Sequence, residues 1–409
     1  MLPLFEDLVL SPLLLFGLCL LGGLASGELS RRLFNLPRTT GYVLCGLVLG
    51  QSGLGWIDPY VLGSAQFFIY PALGLILFEL GQRVPFDGGR IDPQLITLGL
   101  IESAAVFVLV LIVMLGLGFG GAGGAFAAAI AVSTSPAITI ATSSDVGGEG
   151  PRTSRLFGLV ALNGSLAFAA IDLILPSLAE SGATEAMPGY GHAVASIGLS
   201  VVLGAGLAFA ARQGARWLGP QVEHQHLMLL GLIIVGTGLP LSVEMSPLMS
   251  LLAFGVGVRV RDRGREVVAI RIASDARVFL VVTFVLAGAA LELAFLRTHW
   301  PTVLAFVLTR FLARGLALQL AGPTFGLPRR EAAWTAVGLL PMSSVALVLL
   351  GDAGALDGGI GPALSGTLLG AIALMQLLGP LCTQAAIRGF GEARRYVPRL
   401  GQGRGWSRR

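Results

Sequence analysis

Thirteen apolar runs, mostly of about the 17 to 25 residues that a helix needs to cross a bilayer, follow one another along the chain; the eighth and ninth are short, and the split between them is the least defined. Clusters of Arg, Pro and Gly separate them. The runs fall near residues 8–27, 40–55, 65–83, 94–116, 124–144, 155–178, 192–212, 226–241, 246–260, 277–295, 301–321, 332–350 and 361–386, numbered here as spans 1 to 13. So many spans in 409 residues leave no room for a large soluble domain. With 54% hydrophobic and 12% charged residues, the chain also lacks the polar surface of a soluble globule of this size. An all-α integral membrane protein is expected, and not an enzyme.

Three scattered cysteines exclude a disulfide scaffold, and four histidines in no ligand spacing give no transition-metal site. No cofactor is expected. All 27 basic residues are arginine, and they lie in the gaps between spans, where they fix topology and do not mark a nucleic-acid surface. Gaps after odd-numbered spans and the tail hold 24 of them, gaps after even-numbered spans hold only Arg297, and the other two, Arg310 and Arg314, lie inside span 11. By the positive-inside rule the N-terminus is outside and the C-terminus cytoplasmic, as in a multi-pass plasma-membrane (bacterial inner-membrane) protein. The first residues, MLPLFED, carry no basic region, so span 1 is expected to be retained and not cleaved as a signal.

Two spans are interrupted at their middles by proline and small hydroxyl residues, span 5 at Ser133-Thr134-Ser135-Pro136 and span 12 at Pro341-Met342-Ser343-Ser344. Their odd offset of seven puts them in opposite orientations. An inverted repeat is therefore expected: residues 1–180 with six spans, 181–225 as a linking span, 226–388 with six more, and 389–409 as a basic cytoplasmic tail. Proline-broken spans in corresponding positions point to a transporter's midplane site, although membrane helices also tolerate isolated proline kinks.

Several stretches, in order, resemble the monovalent cation:proton antiporter superfamily, especially its second branch, the sodium/hydrogen exchanger-like membrane domain. They are GYVLCGLVLGQSGLG in span 2, MSPLMSLLAFGVGV in spans 8 and 9, FVLAGAALEL in span 10, TRFLARGLA in span 11 and LLGPLCTQAAIRGFGEA closing span 13. The resemblance implies a homodimer of about thirteen helices with two crossed discontinuous helices. A core of spans 4 to 6 and 11 to 13 would move against a dimerisation scaffold in alternating access. It also implies that the chemistry centres on span 6, where the family carries an Asn-Asp, Asp-Asp or Gln-Asp pair. In GLVALNGSLAF, Asn163 fills the first position and Gly164 the place of the aspartate. Gln82 and Gln376 stand where spans 3 and 13 of the family often carry glutamate.

Candidate ion ligands are Asn163, Gly164, Ser165, Thr134, Ser135, Ser343 and Ser344, whose hydroxyls and freed carbonyls suit Na⁺ or K⁺; capping of the broken backbone is the alternative role of the hydroxyls. A buried arginine costs several kcal/mol, so Arg310 and Arg314 face either a cavity or the half-helix C-termini. By rise along their helices, Arg314 and Gly164 lie about 10 and 12 Å from the cytoplasmic side, so Arg314 is expected level with the missing carboxylate. Glu102, Asp172 and Glu79 are candidate proton carriers, with Arg83 a local partner for Glu79 and no local partner for Glu102. GLGFGG at 116–121 fits a nucleotide-loop string, but it joins two spans and follows no strand. The arginine-rich stretches 259–277 and 388–409 are solvated topology signals or touch membrane lipid. The residues fit exchange of a monovalent cation for protons; two alternatives are an anion or zwitterion transporter using Arg314 and the half-helix N-termini, and a degenerate antiporter kept as a membrane sensor or scaffold.

Overall fold

The computed structural model describes residues 12–57, 62, 66–87, 90–179, 190–219, 221–243, 245–261, 267, 277–343, 346, 350 and 360–393. In chain order the helices are α1 (Pro12–Phe34), α2 (Arg38–Leu49), α3 (Gln66–Arg83), α4 (Pro93–Gly116), α5 (Gly121–Val132), α6 (Pro136–Val146), α7 (Pro151–Ala179) and α8 (Tyr190–Leu218). They continue with α9 (Val222–Ser242), α10 (Pro247–Arg261), α11 (Arg277–Ala289), α12 (Leu293–Thr298), α13 (Trp300–Ala321), α14 (Arg329–Gly338) and α15 (Pro362–Phe390). A two-residue pairing, Phe86 to Ile91 and Asp87 to Arg90, turns the chain between α3 and α4.

Eight segments are long and apolar enough to span a membrane: α1, α4, α5 with α6, α7, α8, α9, α13 and α15; α10 and α11 are shorter apolar helices. The protein is a multi-pass, all-helical membrane protein. Its helices pack as two bundles. In one, α10 lies against α8 and α3, and α2 lies against α1 and α11. In the other, α4 packs on α5 and α13, α5 on α7, and α15 on α12 and α14. The first bundle, called the scaffold below, groups helices of spans 1–3 and 7–10, and the second, called the core, those of spans 4–6 and 11–13 together with α12 from the end of span 10.

Each core helix shows why it faces as it does. Asp92 caps α4 by accepting from the Gln94 amide (2.9 Å), with Pro93 at the first position, where a missing N–H costs nothing. Leu98, Glu102, Val106, Val110 and Met114, four apart, form its buried stripe, whereas Leu100, Ile101, Val108, Leu109, Ile112 and Leu115 are exposed to lipid. The α5 sequence, GAGGAFAAAIAV, is so small-sided that neighbouring helices close over it.

The helix boundaries depart from expectation in several places; α1 runs to Phe34 and α14 starts at Arg329, so Arg31, Arg32, Arg329 and Arg330, expected in gaps, lie on helices. Span 2 ends at Leu49, because Gly50, Gly53 and Gly55 turn the chain, Gly55 with φ +69°. Span 10, expected unbroken over 277–295, is two helices: Ser52 Oγ donates to the Leu291 carbonyl (2.6 Å) and accepts from the Leu293 amide (2.9 Å), which replaces the helical ladder there. Span 7 runs to Leu218, so Arg212 and Arg216, expected in a loop, lie on α8 itself. The turn Leu117 to Gly120 joins α4 to α5, as expected for GLGFGG.

Candidate functional site

Span 5 is broken where expected. The helix α5 stops at Val132 because Pro136 cannot donate an amide, Ser133 turns extended (φ −59°, ψ 140°), and Ser135 caps α6 by accepting from the Ile138 amide (3.3 Å). The helix α14 likewise stops at Gly338, before Pro341, and residues 341–343 are not helical. The two breaks cross and bond to each other: the Ser135 amide donates to the Pro341 carbonyl (3.0 Å), and Thr134 Oγ1 donates to the Leu339 carbonyl (3.1 Å).

Such a crossing brings together the C-terminal ends of α5 and α14, whose last carbonyls have no helical partner and carry about half a negative charge per helix. Arg310 and Arg314, four apart on α13 and therefore on one face, supply the donors. Arg310 Nε donates to Ala131 O (2.7 Å), Nη2 to Ser133 O (2.7 Å) and Leu339 O (3.3 Å), and Nη1 to Leu340 O. Arg314 Nη2 donates to Val132 O (2.7 Å) and Ala131 O (3.1 Å). The planar, forked guanidinium is what allows one side chain to join two helix ends.

Glu102 completes the cluster. Arg314 Nη1 lies 2.8 Å from Glu102 Oε1, and both side chains are fully buried. The approach lacks hydrogen-bond alignment, since both Glu102 oxygens and Nη1 make no hydrogen bond, so the contact is an ion pair. Next to it, Ser103 Oγ donates to Asn163 Oδ1 (3.0 Å), which ties α7 to α4, and Asn163 Nδ2 is buried without a protein partner.

The expected ligands meet in part. Asn163, Thr134, Ser135 and Ser343 are all buried. Ser133 Oγ caps the end of α5 by donating to Ile130 O (2.7 Å), whereas Ser165 Oγ, inside α7, bonds back to Ala161 O (2.9 Å). A donating hydroxyl keeps its oxygen lone pairs, so donation does not remove Thr134 or Ser165 as an acceptor. Ser344 lies outside the described residues. A Cβ at Gly164 meets only the Phe168 ring, at 3.8 Å, so no atom of Arg314 lies within 4 Å of it. Arg314 takes its carboxylate partner from α4. Glu102, given no partner from local spacing, has one 212 positions away in sequence.

Glu79 pairs with Arg83 one turn on (Nε to Oε1, 2.8 Å), and Arg83 lies over the Phe157 ring at 5.0 Å, a local structural arrangement away from the crossover. Asp172 is half-buried on α7, with Oδ2 unpartnered. Sequence reasoning passed over Ser103, and it gave Gln376 no role beyond a replaced glutamate; Gln376 is fully buried, with both amide atoms unpartnered. Polar residues on the buried stripes of α4 and α15 were the available signal.

The fold is similar to two solved structures of the sodium proton antiporter MjNhaP1 from Methanocaldococcus jannaschii. One, at pH 8, has a TM-score of 0.67 and 22% identity, covering 92% of this chain and 95% of that one. The other, an electron-microscopy map, has a TM-score of 0.71 and 19% identity, covering 93% and 98%. No curated protein matches the chain. The profile of the family described as "sodium/hydrogen exchanger, transmembrane" matches residues 16–388. With two broken helices crossing inside that match, the chain belongs to the transmembrane sodium/hydrogen exchanger family.

Proposed function

We propose that the protein exchanges a monovalent cation, Na⁺ or K⁺, for protons by alternating access, as a homodimer whose arginine-rich loops and C-terminus face the cytoplasm. The observation that carries this reading is the buried ion pair Glu102–Arg314, set against the crossing of two broken helices. Among the described residues, Glu102 is the one carboxylate that reaches this crossing. A cation and a proton compete for such a group, because protonation removes the charge that attracts the cation. Asn163, on the helix where the family carries its pair, and the oxygens of Thr134 and Ser343 lie around the same breaks and supply hard ligands. Family membership and the likeness to a sodium proton antiporter support the same reading.

The anion reading has less support. Arg310 donates to carbonyls of both breaks, and Arg314 is divided between Glu102 and the end of α5, so both guanidiniums are already engaged. The test is proton flux in proteoliposomes after adding Na⁺ or K⁺, with an internal pH dye. Cation-dependent flux supports exchange. Flux that follows added anions and ignores the cation would replace it.

A further inference from the structure

The two bundles meet through unlike surfaces. Where α7 faces α8 and α10, the seam holds a half-open apolar pocket of about 260 Å³ lined by Leu162, Val201, Met249 and Leu252, with Ser165 the one polar side chain among the described lining residues. Where the start of α2 meets the ends of α6 and α15, the seam is polar. There the Arg38 amide donates to Asp145 Oδ2 (2.9 Å) and its guanidinium to Asp145 Oδ1 (3.2 Å). Thr39 and Thr142 approach at 3.5 Å, and the Asn35 carbonyl accepts from Gln384 (3.2 Å). Each of these contacts joins scaffold to core.

A second cavity, of about 340 Å³, opens at this place, lined by Glu28, Arg38, Thr39, Tyr42, Ser144 and Asp145 among others. Arg38 has two carboxylate partners on different bodies. Asp145 belongs to α6 in the core, whereas Glu28, on scaffold helix α1, accepts from Arg38 Nε (3.2 Å) and also holds Arg31 and Arg32. Arg38 cannot follow the core. Its helix is locked to α1 at Gly41, where a Cβ would lie 2.3 Å from the Ser26 carbonyl oxygen, so α1 and α2 move as one unit.

We propose that Arg38 and Asp145 form a gate over this cavity at the arginine-rich end of the molecule. The double contact closes the polar seam, and movement of the core against the scaffold breaks it. Glu28 keeps Arg38 solvated by a carboxylate when Asp145 leaves, which removes most of the cost of stranding a half-buried guanidinium. This inference rests on the alternating-access reading for its purpose, but not for its geometry.

Cysteine accessibility in the full-length protein tests it. In a background with Cys19, Cys45 and Cys382 replaced, Ser144→Cys places a thiol on the cavity wall. The protein is reconstituted in liposomes and treated with a membrane-impermeant maleimide on each side. Adding Asp145→Asn or Arg38→Gln raises the labelling rate about fivefold, the order expected for loss of a half-exposed ion pair. The core-internal substitution Glu331→Gln, which removes the Arg152 contact, leaves the rate unchanged. If both gate variants label at the parental rate, the gate is overturned. Should one fail to fold, the other decides, because each removes the same ion pair from a different bundle. A parent without cation-dependent proton flux whose gate variants still label faster overturns the exchange reading alone; flux with unchanged labelling overturns the gate alone.

Discussion

Glu102 on α4 and Arg314 on α13 face each other at 2.8 Å with neither side chain reaching solvent. Their pairing belongs to a wider balance. Two guanidiniums bring two positive charges, Glu102 one negative, and the ends of α5 and α14 about half a negative charge each, so the group comes close to neutral. The acid missing at Gly164 is therefore not needed to compensate the arginines.

Removing one partner of this pair should cost more than removing both. Arg314→Ala strands a buried carboxylate and is expected to destabilise by roughly 3–5 kcal/mol, whereas adding Glu102→Leu to Arg314→Leu removes that cost and leaves about 1–3 kcal/mol for the unpaired Val132 carbonyl. Thermal unfolding of the purified single and double variants in one detergent measures the coupling. Additive single effects would mean that the ion pair contributes nothing.

Arg310→Lys should be poorly tolerated although charge is kept. An ammonium on a flexible stem cannot reproduce a fork that reaches Ala131, Ser133, Leu339 and Leu340 together. With at least one buried carbonyl left unpaired, a loss of about 1–3 kcal/mol is expected. Unfolding temperature reads it, and faster hydrogen exchange at residues 131–135 locates it.

Much of this core was legible from the sequence, because its signals are local. Proline with small hydroxyls marked both breaks, and two arginines four apart in an apolar run marked the side chains that bind them. What was not legible depends on distant contacts. Nothing near Glu102 in sequence names Arg314, and only its place on the stripe Leu98, Glu102, Val106 and Val110 shows that it points inward. The break between α11 and α12 is set by Ser52, in the turn after α2, which no pattern within 277–295 reveals. Depth counted along two helices put Arg314 and Gly164 level, but depth carries no rotation, and no atom of Arg314 lies within 4 Å of a Cβ at residue 164.

Gly164→Asp should fold. A Cβ there has only the Phe168 ring within 4 Å, at 3.8 Å, so no backbone must shift. The new carboxylate adds a negative charge to a region already near neutrality, and the Na⁺ concentration for half-maximal proton flux is expected to fall. Flux measured against Na⁺ in proteoliposomes tests this, and an unchanged concentration dependence would show that residue 164 does not sense the ion.

Topology has its own test. In the cysteine-replaced background, Trp56→Cys, in the turn after α2, and Arg330→Cys, at the start of α14, lie at exposed positions. In intact cells an impermeant thiol reagent should modify the first directly and the second only after permeabilisation, if the arginine-rich gaps face the cytoplasm as proposed. The reverse pattern would invert the protein in the membrane.

The last prediction separates the two acids left as proton carriers. Asp172 lies nine residues beyond Asn163 on α7, about 13 Å along the axis and half a turn away at 100° per residue, so it cannot share Asn163's face. Glu102 lies next to Ser103, which holds Asn163, and is in contact with Arg314. Glu102→Gln should thus abolish cation-dependent proton flux, because an amide keeps the volume but cannot take up a proton. Asp172→Asn should leave most of the flux in place. Arg314 keeps its bonds to Val132 and Ala131 in Glu102→Gln, so the crossover is held and loss of flux need not mean loss of fold; an unfolding curve on the same sample checks this. If instead Asp172→Asn is silent and Glu102→Gln exchanges normally, no single one of these carboxylates carries the proton, and the ion pair is purely structural.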